Sequence, residues 1–204
     1  MRDVPTPGVS RQLGGMALIG IAAFALVCVS VQFLRSDLRW LDAPLSLYLT
    51  GAFGSWVEAV YLLLSIALIL VGCSFYTALE PDARSAAPLL LFVASAVALC
   101  VTALSETRLP QHAPILASSV HGFAASAAFL CVTSAMLLQS WRLRADPFWR
   151  PRFRLAFTLA LVCFGLLWTD ALLHPQPRGL VQKSLIALIL VWLARSSTWL
   201  WRGR

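Results

Sequence analysis

The sequence predicts an all-α integral membrane protein, a six-transmembrane-helix bundle with both the N and C termini cytoplasmic. Three observations carry that expectation. First, 59% of the 204 residues are hydrophobic and 12% are charged, with a mean hydropathy of +0.79. Soluble domains carry about 25% charged residues, so this chain has too few to clothe a globule in water. Second, the apolar residues come in spanning lengths. A helix rising about 1.5 Å per residue needs roughly 20 of them to cross a hydrocarbon core of about 30 Å. Third, the basic residues divide unequally between alternate connections.

Taken in order, the expected spans are 16–34, 56–79, 88–104, 114–138, 153–173 and 180–201. The first follows a basic residue, Arg11, as the apolar part of a signal peptide does, but its apolar run is long. It exits through Gln32-Phe33-Leu34-Arg35 with no small-residue cleavage site, so it reads as a retained helix. Prolines punctuate the connections at Pro44, Pro81, Pro110, Pro147, Pro175 and Pro177, which agrees with helices ending at or before such residues. Tryptophans gather near the span ends: Trp40 and Trp56 on one side, Trp141, Trp149, Trp199 and Trp201 on the other. Interfacial aromatic belts have that distribution. Barrel strands would be shorter and would alternate polar with apolar residues. Little chain remains between the spans, so residues 1–204 read as a single membrane domain. No internal repeat of the transporter kind is visible.

Six spans place the N-terminus, the second and fourth connections and the C-terminus on one side. Eleven of the 16 lysines and arginines fall there. This positive-inside asymmetry assigns that side to the cytoplasm. The arginine-rich run 142–154, broken by Pro147 and Pro151, is expected to rest against anionic headgroups. Membrane lipids, and not nucleic acid, are therefore the expected partners of the net charge of +7. Cys28, Cys73, Cys100, Cys131 and Cys163 all lie inside spans and form no CxxC, so neither a disulfide framework nor a thiolate metal site is indicated. Small residues at helix-packing spacing, such as Ala124 and Ala128, suit close helix contacts, within the chain or in a homo- or hetero-oligomer.

The connection at 35–55 differs from the others. It is long and mixed in charge, yet rich in leucine and aromatics, where a tether would be more polar. It is expected to form an outer interfacial cap, with Gly51 and Gly54 allowing the turn into the second span.

Ionisable groups in or near spans are costly and tend to mark a partner or a function. Here they collect on the outer half: Glu58, Glu106, His121, Asp170, His174, Gln182 and Lys183. Asp170 and His174 are four apart and share a helix face. With His121, and with Glu106 or His112, they make a mixed nitrogen and oxygen set that suits a divalent ion such as zinc. The same set suits a general base with an orienting carboxylate, and His121 with His174 suits a bis-histidine haem. Each has a plainer rival. Asp170 is able to neutralise Lys183 across neighbouring spans, His174 to cap a helix end before Pro175, and His121 to hydrogen-bond the next helix. No HExxH, P-loop, GxSxG or paired CxxC motif favours catalysis. Neither cofactor nor metal is therefore expected; the metal alternative is His121, Asp170 and His174.

The segments Leu34-Arg35-Ser36-Asp37-Leu38 and Pro44-Leu45-Ser46-Leu47-Tyr48-Leu49-Thr50-Gly51 resemble the first outer loop of bacterial membrane proteins of the domain-of-unknown-function 998 (DUF998) family. Three further segments match in order: Leu104-Ser105-Glu106, Val120-His121-Gly122 with Ala127-Ala128-Phe129, and Gly179-Leu180-Val181-Gln182-Lys183. The resemblance implies a six-helix bundle of the bacterial inner membrane, related in outline to Frag1, DRAM and Sfk1-like proteins, with no established activity. It singles out Ser46, Glu106, His121, Gln182 and Lys183. Glu106 stands where aspartate is common and Lys183 where arginine is usual. These residues, with Asp170 and His174, form the candidate ligand-binding set. The expected function is a non-enzymatic outer polar pocket that binds a lipid headgroup or small amphiphile. The alternatives are a metal-assisted membrane hydrolase acting on a lipid, or a transport-associated subunit.

Overall fold

The computed structural model describes residues 7–108, 114–173 and 175–203, leaving aside the side chains of residues 7, 106–108 and 114. Six helices follow one another: α1 (Pro7–Leu34), α2 (Gly54–Ala78), α3 (Ala86–Arg108), α4 (Pro114–Arg142), α5 (Phe153–Leu173) and α6 (Arg178–Arg202). All six are long and apolar enough to cross a membrane, and there is no strand among the described residues. The chain has a multi-pass transmembrane architecture.

Several helices overrun the apolar segments that betray them. α1 starts nine residues before its expected span, and α4 continues through Ser140 and Arg142. Hydropathy detects the part of a helix that lipid surrounds. The hydrogen-bonded helix itself runs on until a breaker or a competing turn stops it.

Each helix packs on the next, and α6 returns to α1, closing a ring in chain order. α2 also touches α6 across the ring and is the most enclosed helix, with 56% of its spanning window buried against 17% for α5. Gly14 near the start of α1 lies against Leu200 near the end of α6, so the start of α1 and the end of α6 share one end of the bundle, here termed the lower end. Residues 35–53 lie at the opposite, upper end. Large apolar side chains such as Ile19, Phe33, Ile115 and Phe123 stand more than two-thirds exposed, as lipid-facing positions do.

Lipid tails are as apolar as leucine, so polar and close contacts between helices have to supply association energy. At the lower end Ser74 Oγ donates to the Ser10 carbonyl at 2.6 Å, and Trp192 Nε1 to the Ala156 carbonyl at 2.9 Å. A chain of aromatic rings runs Trp149–Phe75–Trp192–Phe92, with centroids 6.0–6.2 Å apart. Trp149 is buried, which corrects its expected place in an interfacial belt; Trp40, Trp56, Trp141 and Trp201 are about half exposed or more. Asp146 is buried too, and its carboxylate accepts the N–H groups of Glu80 and Phe148, tying the α2–α3 connection to the α4–α5 connection. All five cysteines are free.

α5 is attached by half its length. Its buried residues, Ala156, Ala160 and Cys163, recur on one face of its lower part, and none follows Cys163. Trp168, Leu172 and Leu173 are 45–73% exposed. α4 shows the same trend, with no buried residue between 115 and 123. The bundle is tight below and looser above on the α4–α5 side.

Candidate functional site: an upper chamber between α2, α3, α4 and α6

The segment 35–53 is folded against the upper end by two sets of bonds. Arg35 closes its base. The buried guanidinium makes a bidentate pair with Asp37, at 2.7 Å to each oxygen, and donates to the carbonyls of Thr50 and Ala52. The same contact holds the Asp37 carboxyl below its ordinary pKa. Between these ends a 3-10 turn, Leu45–Leu49, buries Leu45, Tyr48 and Leu49. Burial pushes the Tyr48 phenol up.

The first turns of α6 form the second set. A helix start leaves its first N–H groups without intrahelical partners. Here the Leu180 N–H donates to the Leu41 carbonyl at 2.8 Å, Gln182 Oε1 accepts from the Leu45 N–H at 2.9 Å, and Lys183 Nζ donates to the Trp40 carbonyl. Gly179 makes the approach possible, since a Cβ there would stand 2.6 Å from the Asp42 carbonyl carbon and 2.7 Å from two carbonyl oxygens. The stretch Gly179-Leu180-Val181-Gln182-Lys183 is thus a clasp on the 35–53 segment.

Beneath the segment lies a narrow cavity of about 80 Å³. Its wall is formed by α2, α3, α4 and α6, with Phe24 from α1 and Ser46 from the 3-10 turn; α5 contributes no lining residue. It extends from Gln182 to Leu193 on α6 and from His121 to Val132 on α4. Eleven residues on either side, at about 1.5 Å each, give a depth of roughly 16 Å, about one leaflet of a ~30 Å hydrocarbon core. Ser46, His121, Gln182 and Thr102 stand toward the upper end, and Leu64, Leu68, Ile189, Val132 and Leu193 line the deeper part. Ser95 also lines it, but its hydroxyl is spent on the Ala128 carbonyl at 2.9 Å. That bond and the burial of Ala124 and Ala128 place these small residues in packing within the chain.

His121 bridges helices. Its Nδ1 lies 3.1 Å from the Thr102 carbonyl and 3.4 Å from Ser105 Oγ. A carbonyl only accepts, so Nδ1 carries the proton in this contact. His121 therefore hydrogen-bonds α3, as its plainer reading had it.

Of the sequence-predicted set, then, Ser46, His121 and Gln182 meet at one cavity. Lys183 does not line it. It lies over the Tyr48 ring at 5.2 Å and borders a separate groove between α1 and α6. The pairing of Lys183 with Asp170 does not form; among the described residues the ion pairs are Arg35–Asp37 and Arg39–Asp42. Asp170 is on α5, away from the chamber lining. The Glu106 side chain, His112 and His174 lie outside the described residues. Among the described residues no three His, Cys, Asp or Glu side chains come together as a metal would require. Thr102 and Ser105 were missed by sequence reading because the short hydroxyls inside a span usually serve their own helix backbone, as both do here.

The profile of one family, described as protein of unknown function (DUF998), matches residues 18–198, most of the chain. The chain belongs to the DUF998 family. The match runs from within α1 to within α6, so it takes in the 35–53 segment, the α6 clasp and every chamber-lining residue of this DUF998 protein. Neither the curated proteins nor the solved structures gave a match.

Proposed function

We propose that this DUF998 protein binds a single-chain amphiphile in the upper chamber, acting as a non-enzymatic multi-pass protein of the bacterial inner membrane with its lower end cytoplasmic. The observation that carries the reading is the shape and polarity of the chamber. It is a slot about one leaflet deep, polar at its mouth and apolar below.

The lining also selects the headgroup. Among the described residues it contains no lysine, arginine, aspartate or glutamate. Burying an unpaired charge in so apolar a slot would be costly. Gln182 spends Oε1 on Leu45 and keeps its amide N–H groups as donors, with the Ser46 hydroxyl nearby. A hydroxyl, ester or amide headgroup fits these donors better than an anion.

The looser packing of α5 supplies a route. Its upper half carries no buried residue, and the lining passes from α4 to α6 without it. An acyl chain is expected to enter sideways there, from lipid, while the 35–53 segment covers the mouth. The outline likeness to Frag1, DRAM and Sfk1-like proteins belongs to this reading as a further expectation.

A photoreactive alkyl diazirine bearing a hydroxyl head tests it in native-like membranes. Labels on Ala125, Phe129 or Ile186 are expected. Labels confined to outward residues such as Ile115 and Phe123 would overturn the reading.

A further inference from the structure

A second concavity lies at the other end of the bundle, where α4 ends and α5 begins. It has a volume of about 660 Å³ and is lined by Arg142, Arg144, Arg150 and Arg154, with Trp141 and Phe153. Four guanidinium groups border one hollow, and three of them are held in place. Arg142 donates to the backbone carbonyls of Ala83, Asp82 and Arg84 at 2.8–3.1 Å. Arg144 stacks over the Trp141 ring at 4.1 Å and faces Phe153 at 5.3 Å. Arg150 donates through Nε to the Arg144 carbonyl at 3.1 Å.

Among the described residues no ion pair joins them to a carboxylate; the two that form are both at the upper end. Asp146, the acid in this same connection, is buried and accepts backbone N–H groups with both oxygens. Repelling cations kept at one hollow, and oriented by ring stacking and carbonyl bonds, form a preorganised receptor for an anion. Guanidinium groups favour the planar, bidentate contacts that phosphate oxygens offer.

The position supplies the source of that anion. Trp141 is 51% exposed near the end of α4, and Leu138 and Leu155, one turn or less into the spans, are 43% and 45% exposed. A phospholipid in the adjoining leaflet would lay its chains on those leucines and bring its phosphate to the arginines. We propose that the arginine hollow between α4 and α5 binds the headgroup of an anionic phospholipid, with preference for one carrying two negative charges. A phosphomonoester or a paired-phosphate lipid places more acceptor oxygens among four arginines than a single phosphodiester does. The site is independent of the chamber, because the two lie at opposite ends of the bundle.

The test uses the full chain, stripped of lipid and placed in nanodiscs of phosphatidylcholine alone or with phosphatidic acid, cardiolipin or phosphatidylglycerol. Retained lipid is read by native mass spectrometry. Wild type is expected to prefer phosphatidic acid and cardiolipin over phosphatidylcholine. The Arg144→Gln, Arg150→Gln, Arg154→Gln triple variant is expected to lose that preference roughly tenfold or more. It spares Arg142, which the fold itself uses, and an unchanged melting temperature shows that the variant folds. A control triple, Arg11→Gln, Arg195→Gln and Arg202→Gln, removes equal charge from the same end and is expected to keep the preference. Equal loss in both triples would overturn the proposal in favour of diffuse attraction. A wild type without preference would overturn it outright. Stabilisation by inorganic phosphate alone, with no lipid preference, would overturn the lipid assignment.

Discussion

Leu45 and Gln182 stand 137 positions apart in the chain and are joined by a hydrogen bond of 2.9 Å, backbone N–H to side-chain oxygen. That bond fastens the 35–53 segment to α6 at the mouth of the chamber. Replacing Gln182 by Ala leaves the Leu45 N–H without its acceptor at a half-buried site, a loss of about 1–3 kcal/mol. The variant is expected to melt lower in detergent and to exchange the Leu45 amide faster. Unchanged exchange in Gln182→Ala would show that the bond does not hold the segment.

Gly179 permits the same attachment by its lack of a side chain. Gly179→Ala forces a Cβ to within 2.6 Å of the Asp42 carbonyl carbon, and overpacking of that kind costs about 1–3 kcal/mol. Gly165→Ala, where a Cβ would meet nothing within 4 Å, is expected to be neutral or mildly stabilising. Thermal unfolding of the two variants side by side checks the contrast.

The base of the segment depends on pH in a definite direction. The Arg35 guanidinium lowers the Asp37 pKa, so the pair contributes fully above the ordinary carboxylate pKa of about 4. Its contribution is lost as pH falls through the depressed folded value. Hydrogen exchange across 35–53, corrected for intrinsic rate, is expected to stay flat from about pH 8 to pH 5 and to rise only below about pH 4. Asp37→Asn is expected to exchange faster throughout and to show no acid step.

The fold was largely legible because lipid leaves few solutions. Every backbone polar group must be satisfied within a span, so length and apolarity suffice to find a spanning helix. His121 and Gln182 were legible for a related reason, since polar residues in or near spans rarely lack a use; Ser46, in the 3-10 turn, was singled out by the family resemblance alone. What they would touch was not legible. Lys183 carries a charge that suggests an anion, yet the Trp40 carbonyl is close enough to take it. Asp146 was passed over as one more loop acid. Asp followed two residues later by a backbone donor is a local turn signature, and Oδ1 does accept from the Phe148 N–H at 3.0 Å. The looseness of α5 left no trace in hydropathy, because a lipid-facing and a helix-facing leucine read alike. The small residues Ala156 and Ala160 were its one visible sign.

The central claim is that the upper chamber holds one amphiphile, and substitution at Ala125 addresses it most directly. Ala125 lines the chamber, and a phenyl ring there takes up space that an acyl chain would need. Wild type, Ala125→Phe and a control, Ala171→Phe on the exposed upper part of α5, would be purified in mild detergent and compared by native mass spectrometry. The chamber reading predicts one retained amphiphile per chain in wild type and control, and its loss from Ala125→Phe with the melting temperature of the empty protein preserved. Equal retention by all three proteins, or retention by none, would contradict it.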